Sequence, residues 1–317
     1  MSNENKPPVA APTLANCCTS PTVCASSSGA TTTRLASSIP CFTPASSATA
    51  TPSGESAAEA APSPAVTLLA HVADENFAAR IASIAGRVLA ASDQAAVHAL
   101  FREGVTSLGA SCAVFVSFVR DPTRLSACRF MLACDPAWGR AYVQDGNFAH
   151  DPWLAYAADH SEPIVASALN VFDTEHRRVL DLAARAGFVS TVLIPAHSGG
   201  GHSRISVLCL GSSTQGYFEG AGLAQLRVSA RMLALELHDW WLSRTRRDLI
   251  ASARITPGDL ILLQHQCQGH SSKRIAAELH VSKGSINSRF QRMNGKLGVG
   301  TRRKALQVAI ECGLVLR

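Results

Sequence analysis

Apolar positions recur at helical spacing through the C-terminal part of the chain. Ile286, Phe290, Met293 and Leu297 fall at steps of four, three and four, which puts all four side chains on one side of an α-helix. Ser282 precedes this stripe as a cap, and Gly298 follows it as a stop. Upstream, Thr256-Pro257-Gly258-Asp259 carries the marks of another helix start: a capping Thr, a Pro at the first helical position, and an acid three residues after the Thr. Leu260 and Leu263, widened by Ile261 and Leu262, give that helix its apolar face, and Gly269 ends it. A short helix from Ser272 to Leu279 buries Ile275, Ala276 and Leu279. His280-Val281 makes the turn, and a last helix runs from Thr301 to Gly313. Two short helices joined by a tight turn and braced by two others form a helix-turn-helix arrangement.

The middle of the chain mixes two periods. Residues 75–107 repeat helically through Ile81, Ile84 and Val88, then Val97, Leu100 and Val105. Strands are predicted over Cys112–Val119 and Ala127–Ala133, with a turn at Arg120–Thr123 between them. Helices follow through Tyr156, and another runs from Arg177 to Ala186. Val189–Pro195 and Ser203–Leu210 read as a hairpin around Gly199–Gly201, and Leu223–Trp241 as a long amphipathic helix. The fold class is therefore α+β: an antiparallel sheet between helical layers, joined to an all-α four-helix module. Residues 1–70, rich in Ala, Ser, Thr and Pro, offer no periodic face to bury and are expected to be a disordered tail, either a flexible arm or the product of an upstream start codon. The domains are expected at 74–242 and 255–317, with a linker over 243–254.

Charge separates the two parts. From Ala251 to Arg317 there are 11 Lys or Arg against 3 acids, +8, whereas the whole chain is +6, leaving −2 for everything upstream. Basicity confined to one small module points to a polyanion. The polar side of the 283–296 helix presents Lys283, Asn287, Ser288, Arg289, Gln291 and Arg292. Asn287, Ser288 and Gln291 are suited to base edges, and Lys283, Arg289 and Arg292 to phosphates. The ten cysteines form no CxxC pair, so reduced thiols are expected. His265 and His270 are five apart, off the same-face spacing of a helix, and no carboxylate is expected to join them, so no metal site is expected. The chain lacks the apolar run of a signal peptide or a membrane span, which suggests a cytoplasmic protein.

Residues 256–316 resemble the LuxR-type helix-turn-helix. The likeness lies in Thr256-Pro257, Ile275-Ala276-Ala277-Glu278-Leu279, Val281-Ser282, Lys296-Leu297-Gly298-Val299 and Cys312-Gly313-Leu314-Val315. Trp138, Tyr142 and Asp151-Pro152, continuing through Pro163, Ala186-Gly187-Phe188 and Pro195, are similar to the autoinducer-binding domain of the same regulators. That resemblance implies an acyl-homoserine lactone between the sheet and a helical layer. Trp138 would donate to the lactone carbonyl, Asp151 would accept the ligand amide, and Tyr142 would line the acyl chain. Cys209 is counted with this pocket. Cys134 stands where the family commonly has a Tyr, Ala166 where it has a Trp, and Thr191 where it has a Gly; Trp153 is a candidate to refill the space at Ala166.

The resemblance implies a homodimeric, quorum-sensing transcription regulator that binds double-stranded DNA and a small-molecule autoinducer, with RNA polymerase as a further partner. Leu223–Trp241 is then either a dimer interface or ordinary packing on its own sheet. The alternative is a ligand-independent LuxR-type regulator with a diverged pocket. An enzyme using Cys209 or Cys134 as nucleophile is disfavoured, because no Cys-His or Ser-His constellation accompanies them, and no cofactor is expected.

Overall fold

A computed structural model describes residues 67–119, 128–197 and 204–315. Most of the expected tail, the Arg120–Thr123 turn and the Gly199–Gly201 loop lie outside the described residues. Helices α1 (Leu68–Val72), α2 (Phe77–Val88) and α3 (Gln94–Ser107) lead into strands β1 (Cys112–Val119) and β2 (Arg129–Ala133). Next come α4 (Pro136–Gln144), a 3-10 turn at Asn147–His150, α5 (Pro152–Asp159), the short strand β3 (Ile164–Val165) and α6 (Thr174–Arg185). Strands β4 (Ser190–His197) and β5 (Arg204–Ser212) precede the long helix α7 (Leu223–Ser252). Four helices complete the chain: α8 (Pro257–Cys267), α9 (Ser272–Glu278), α10 (Lys283–Lys296) and α11 (Arg302–Glu311).

The five strands lie in the order β2-β1-β5-β4-β3, and every pair is antiparallel. Strand alternation sorts the side chains to two faces. Ala113, Phe115, Val192, Ile194, Leu208 and Leu210 meet α1, α2, α3 and α7 in one buried core. Val114, Val116, Phe118, Leu193, Val207 and Cys209 face a second core roofed by α4, α5 and α6. The result is the expected α-β-α sandwich, and the layer under α4–α6 holds the candidate ligand site.

Two expectations change. Residues 68–72 belong to α1, with Leu68 buried, so the tail ends earlier than expected. The segment expected to be a linker continues α7 to Ser252. No Gly or Pro interrupts residues 223–255, and Arg244 pairs with Asp248 one turn on at 3.0 Å, so nothing local breaks the helix. The turn comes at Ala253–Ile255, where Arg254 has φ of 49°. Leu226, Ala230, Leu233 and Leu237 of α7 pack on the sheet side, while Val228 is 72% exposed. Among the described residues, no helix is long and apolar enough to cross a membrane.

The C-terminal helices enclose their own core of Leu262, Leu263, Ile275, Ile286, Phe290, Met293, Leu297, Ala305 and Val308, which Leu249 of α7 joins. Ile261 is exposed, so the buried edge of α8 is narrower than its sequence suggests. Phe290 is 1% exposed at the centre, and truncating it to Ala should cost about 3–5 kcal/mol. Thr256 and Asp259 form the expected capping box, and Ser271, Ser282 and Thr301 cap the next three helices through their hydroxyls.

Candidate functional site

Asp135 caps α4 by accepting from the Ala137 N–H at 2.8 Å, and Pro136 occupies its first position. This places Trp138 and Tyr142 one turn apart on the face toward the sheet, with ring centroids 5.4 Å apart. Asp151 caps α5, accepting from the backbone N–H of Trp153 at 2.8 Å and of Leu154 at 3.4 Å. Its second oxygen accepts from the Tyr142 hydroxyl at 2.5 Å. Phe188 lies between the tryptophans, 5.4 Å from Trp138 and 5.7 Å from Trp153. Cys134, Ala166 and Cys209 belong to the same apolar layer, so all six expected ligand positions converge there.

The electrostatics of this layer follow from its dryness. Burial pushes the Asp151 carboxyl above its ordinary range, opposed by the Tyr142 hydroxyl and the two capping amides. Burial and the neighbouring Asp151 likewise push Tyr142 well up. Desolvation raises Cys209 well above a free thiol and Cys134 to about 12.

Three buried donors in or beside this layer lack hydrogen-bond partners: Trp138 Nε1, Trp153 Nε1 and Asn147 Nδ2. Unpaired buried donors are rare in folded proteins, and each calls for an explanation. Trp241 Nε1, in the opposite core, is also unpaired, whereas Trp240 Nε1 donates to the Ala91 carbonyl at 3.0 Å. Asn147 escaped sequence reading because a lone Asn after Gly146 reads as turn chemistry. Trp153, by contrast, is packed against Phe188, and its ring shares the layer with Ala166. The buried Thr191 hydroxyl is satisfied locally, donating to the Phe188 carbonyl at 3.2 Å. Among the described residues, open clefts lie elsewhere, including one of about 330 Å³ along α6 and one of about 510 Å³ between α7 and residues 313–315.

On the C-terminal module, Lys283, Ser288, Gln291 and Arg292 are exposed along α10, and Asn287 and Arg289 are half-buried. Asn287 is engaged within the module, its Oδ1 accepting from Arg302 at 2.7 Å. Arg302 also donates to Ser272 Oγ at 2.7 Å and stacks its guanidinium 4.0 Å over the Phe290 ring. One side chain of α11 thus ties α9 to α10 and fixes how the polar face of α10 is presented. Nothing in the sequence distinguished Arg302 from its neighbours Arg303 and Lys304.

The two histidines are neighbours in space despite their spacing. His265 and His270 face one another, Nδ1 to Nδ1, at 3.0 Å, and Glu278 Oε2 lies 3.3 Å from the first and 3.8 Å from the second. A carboxylate does join them. The chain between the two imidazoles is a reversing helix end, so helical spacing does not govern their separation.

Comparisons with known proteins agree with this architecture. The autoinducer-binding domain family matches residues 93–239, and the luxR family of bacterial regulatory proteins matches residues 256–309. The chain belongs to the LuxR-type regulators. This LuxR-type chain combines the family's autoinducer-binding and DNA-binding domains, an assignment that points to a regulator and away from an enzyme. Its fold resembles that of Escherichia coli SdiA at a TM-score of 0.60 and 15% identity, covering 76% of this chain and all of that one. A structure of SdiA in complex with octanoyl-rac-glycerol is similar at a TM-score of 0.57 and 15% identity, covering 77% of this chain and 98% of the other. No curated protein matches the chain significantly in sequence.

Proposed function

We propose that the protein is a homodimeric transcription regulator whose DNA binding responds to an acyl-homoserine lactone, or a related acylated signal, held around Trp138 and Asp151. The observation that carries this reading is the unpaired donor set. Trp138 Nε1 and Trp153 Nε1 flank Phe188 in a layer that buries them without acceptors. A ligand carbonyl would supply an acceptor and recover the free energy that an unmade buried hydrogen bond costs, about 1–3 kcal/mol. Asp151 would meet the ligand amide beside Tyr142, which the geometry makes its hydrogen-bond partner as well as a wall for the acyl chain. SdiA's complex with octanoyl-rac-glycerol makes acylglycerols a second class of candidate. Lys283, Ser288, Gln291 and Arg292, with Asn287 and Arg289 beside them, would contact the duplex, and α7 would supply the dimer interface.

A second reading is a ligand-independent regulator of the same fold. It is favoured by the state of Asp151, whose two oxygens already accept from Tyr142, Trp153 and Leu154. Thermal unfolding of the full chain with lactones of graded acyl length, and with monoacylglycerols, tests both. The sensor reading expects an upward shift that saturates with one class. No shift with any of them, together with selection of a defined sequence from random duplex DNA, leaves the second reading standing.

A further inference from the structure

Among the described residues, His265, His270 and Glu278 form a cluster of metal-ligating side chains outside the sensor layer, where α8 meets α9. We propose that these three residues form a site for a divalent transition ion of the zinc class, with the fourth position open to water.

The backbone preorganises the imidazoles. After α8, Gly269 turns left-handed at φ 74°, the His270 N–H returns to the His265 carbonyl at 3.0 Å, and the Gly269 N–H to that of Gln266 at 3.1 Å. These two bonds define a Schellman end, which brings together the third residue before the cap and the second after it. That pair is ordinarily an apolar contact; here both members are histidines, with ring centroids 5.2 Å apart. Apolar side chains would seal this helix end better, so packing alone does not account for them.

The spacing of the ligand atoms also fits. Metal bonds of about 2.0–2.2 Å to nitrogen and oxygen at tetrahedral angles separate ligand atoms by about 3.4 Å. The three observed separations, 3.0, 3.3 and 3.8 Å, bracket that value. Arg274 donates to Glu278 Oε1 at 2.7 Å and so orients Oε2 toward the rings, an outer-shell role common around metal ligands. Both histidine side chains are mostly buried, at 16% and 13% exposure, while Glu278 at 38% leaves a path for the ion. Two imidazoles and one carboxylate suit zinc, cobalt or nickel better than calcium or magnesium, which prefer oxygen-rich sites. A bound ion would clamp the end of α8 to the end of α9, the helix just before the His280 turn and α10.

The test counts zinc ions per full-length chain by native mass spectrometry, with affinity from competition against a chromophoric chelator. Wild type is compared with H270Q and with E278Q, whose substitution is at the surface and spares the fold. Thiols elsewhere, including Cys17 and Cys18, are common to all three proteins and cancel. The expected result is one ion fewer in each variant, with the lost site at least tenfold weaker. Equal counts and equal affinities in wild type, H270Q and E278Q would overturn the proposal and leave the trio as a hydrogen-bonded helix clasp. Should H270Q fail to fold, the E278Q comparison decides alone.

Discussion

The Tyr142 hydroxyl donates to Asp151 across 2.5 Å, joining α4 to the cap of α5 inside a dry apolar layer. Burial holds the Asp151 carboxyl above its ordinary range, so the folded state binds a proton that the unfolded state releases. Stability from this group therefore falls as pH rises from the unfolded value toward the raised folded one. Tyr142→Phe removes the main side-chain support of the charged form and should cost about 1.5–3 kcal/mol at pH 8. Denaturant unfolding at pH 8 and pH 5 checks it: the gap between wild type and variant should narrow at the lower pH.

Asp259 should show the opposite slope. Burial alone would raise its carboxyl, but the Lys296 ammonium at 2.6 Å and the Thr256 N–H and hydroxyl outweigh that and lower it. Its contribution is present above the unfolded value and lost as pH falls through the lowered folded one. Asp259→Asn should destabilise the C-terminal helices by about 1–2 kcal/mol at pH 7. At pH 3, thermal unfolding should find the two proteins closer together.

Arg302 is held by Ser272, Asn287 and the face of Phe290. Lysine keeps the charge but lacks the planar fork. Arg302→Lys should therefore lose about 1–3 kcal/mol of stability and weaken DNA binding through misplacement of α10. Equilibrium unfolding alongside a binding isotherm would detect both; an unchanged unfolding midpoint would contradict this role.

On the duplex, Gln291→Ala should lose about 1–3 kcal/mol at particular base pairs, whereas Arg292→Ala should weaken all sequences and reduce the salt slope by about one. Asn287→Ala should do more than Gln291→Ala, because it also strips Arg302 of an acceptor. Binding to single-base variants of a selected sequence at several salt concentrations separates these effects. Identical profiles for Gln291→Ala and Arg292→Ala would refute the division of roles.

Much of this was legible because it is local. The stripe of Ile286, Phe290, Met293 and Leu297 and the capping hydroxyls act within one helix, and all reappear as buried residues or cap hydrogen bonds. Trp138 and Tyr142 were legible as a pair through their separation of four. What escaped depends on contacts across chain reversals. Glu278 reaches His265 only after a Schellman turn and a second helix, and Arg302 reaches Asn287 from another element. Residues 243–252 continue α7 even though Arg244-Thr245-Arg246-Arg247 is strongly polar, because no residue there ends a helix.

The most direct test is titration of the full chain with acyl-homoserine lactones of graded length, comparing wild type with Trp138→Phe. The phenyl ring keeps much of the packing and deletes the unpaired indole N–H. One chain length should saturate the wild type at one molecule per chain, with affinity reduced about tenfold in the variant, the worth of one buried hydrogen bond. Equal affinity in both proteins, or no saturable binding at any chain length, would contradict the sensor account.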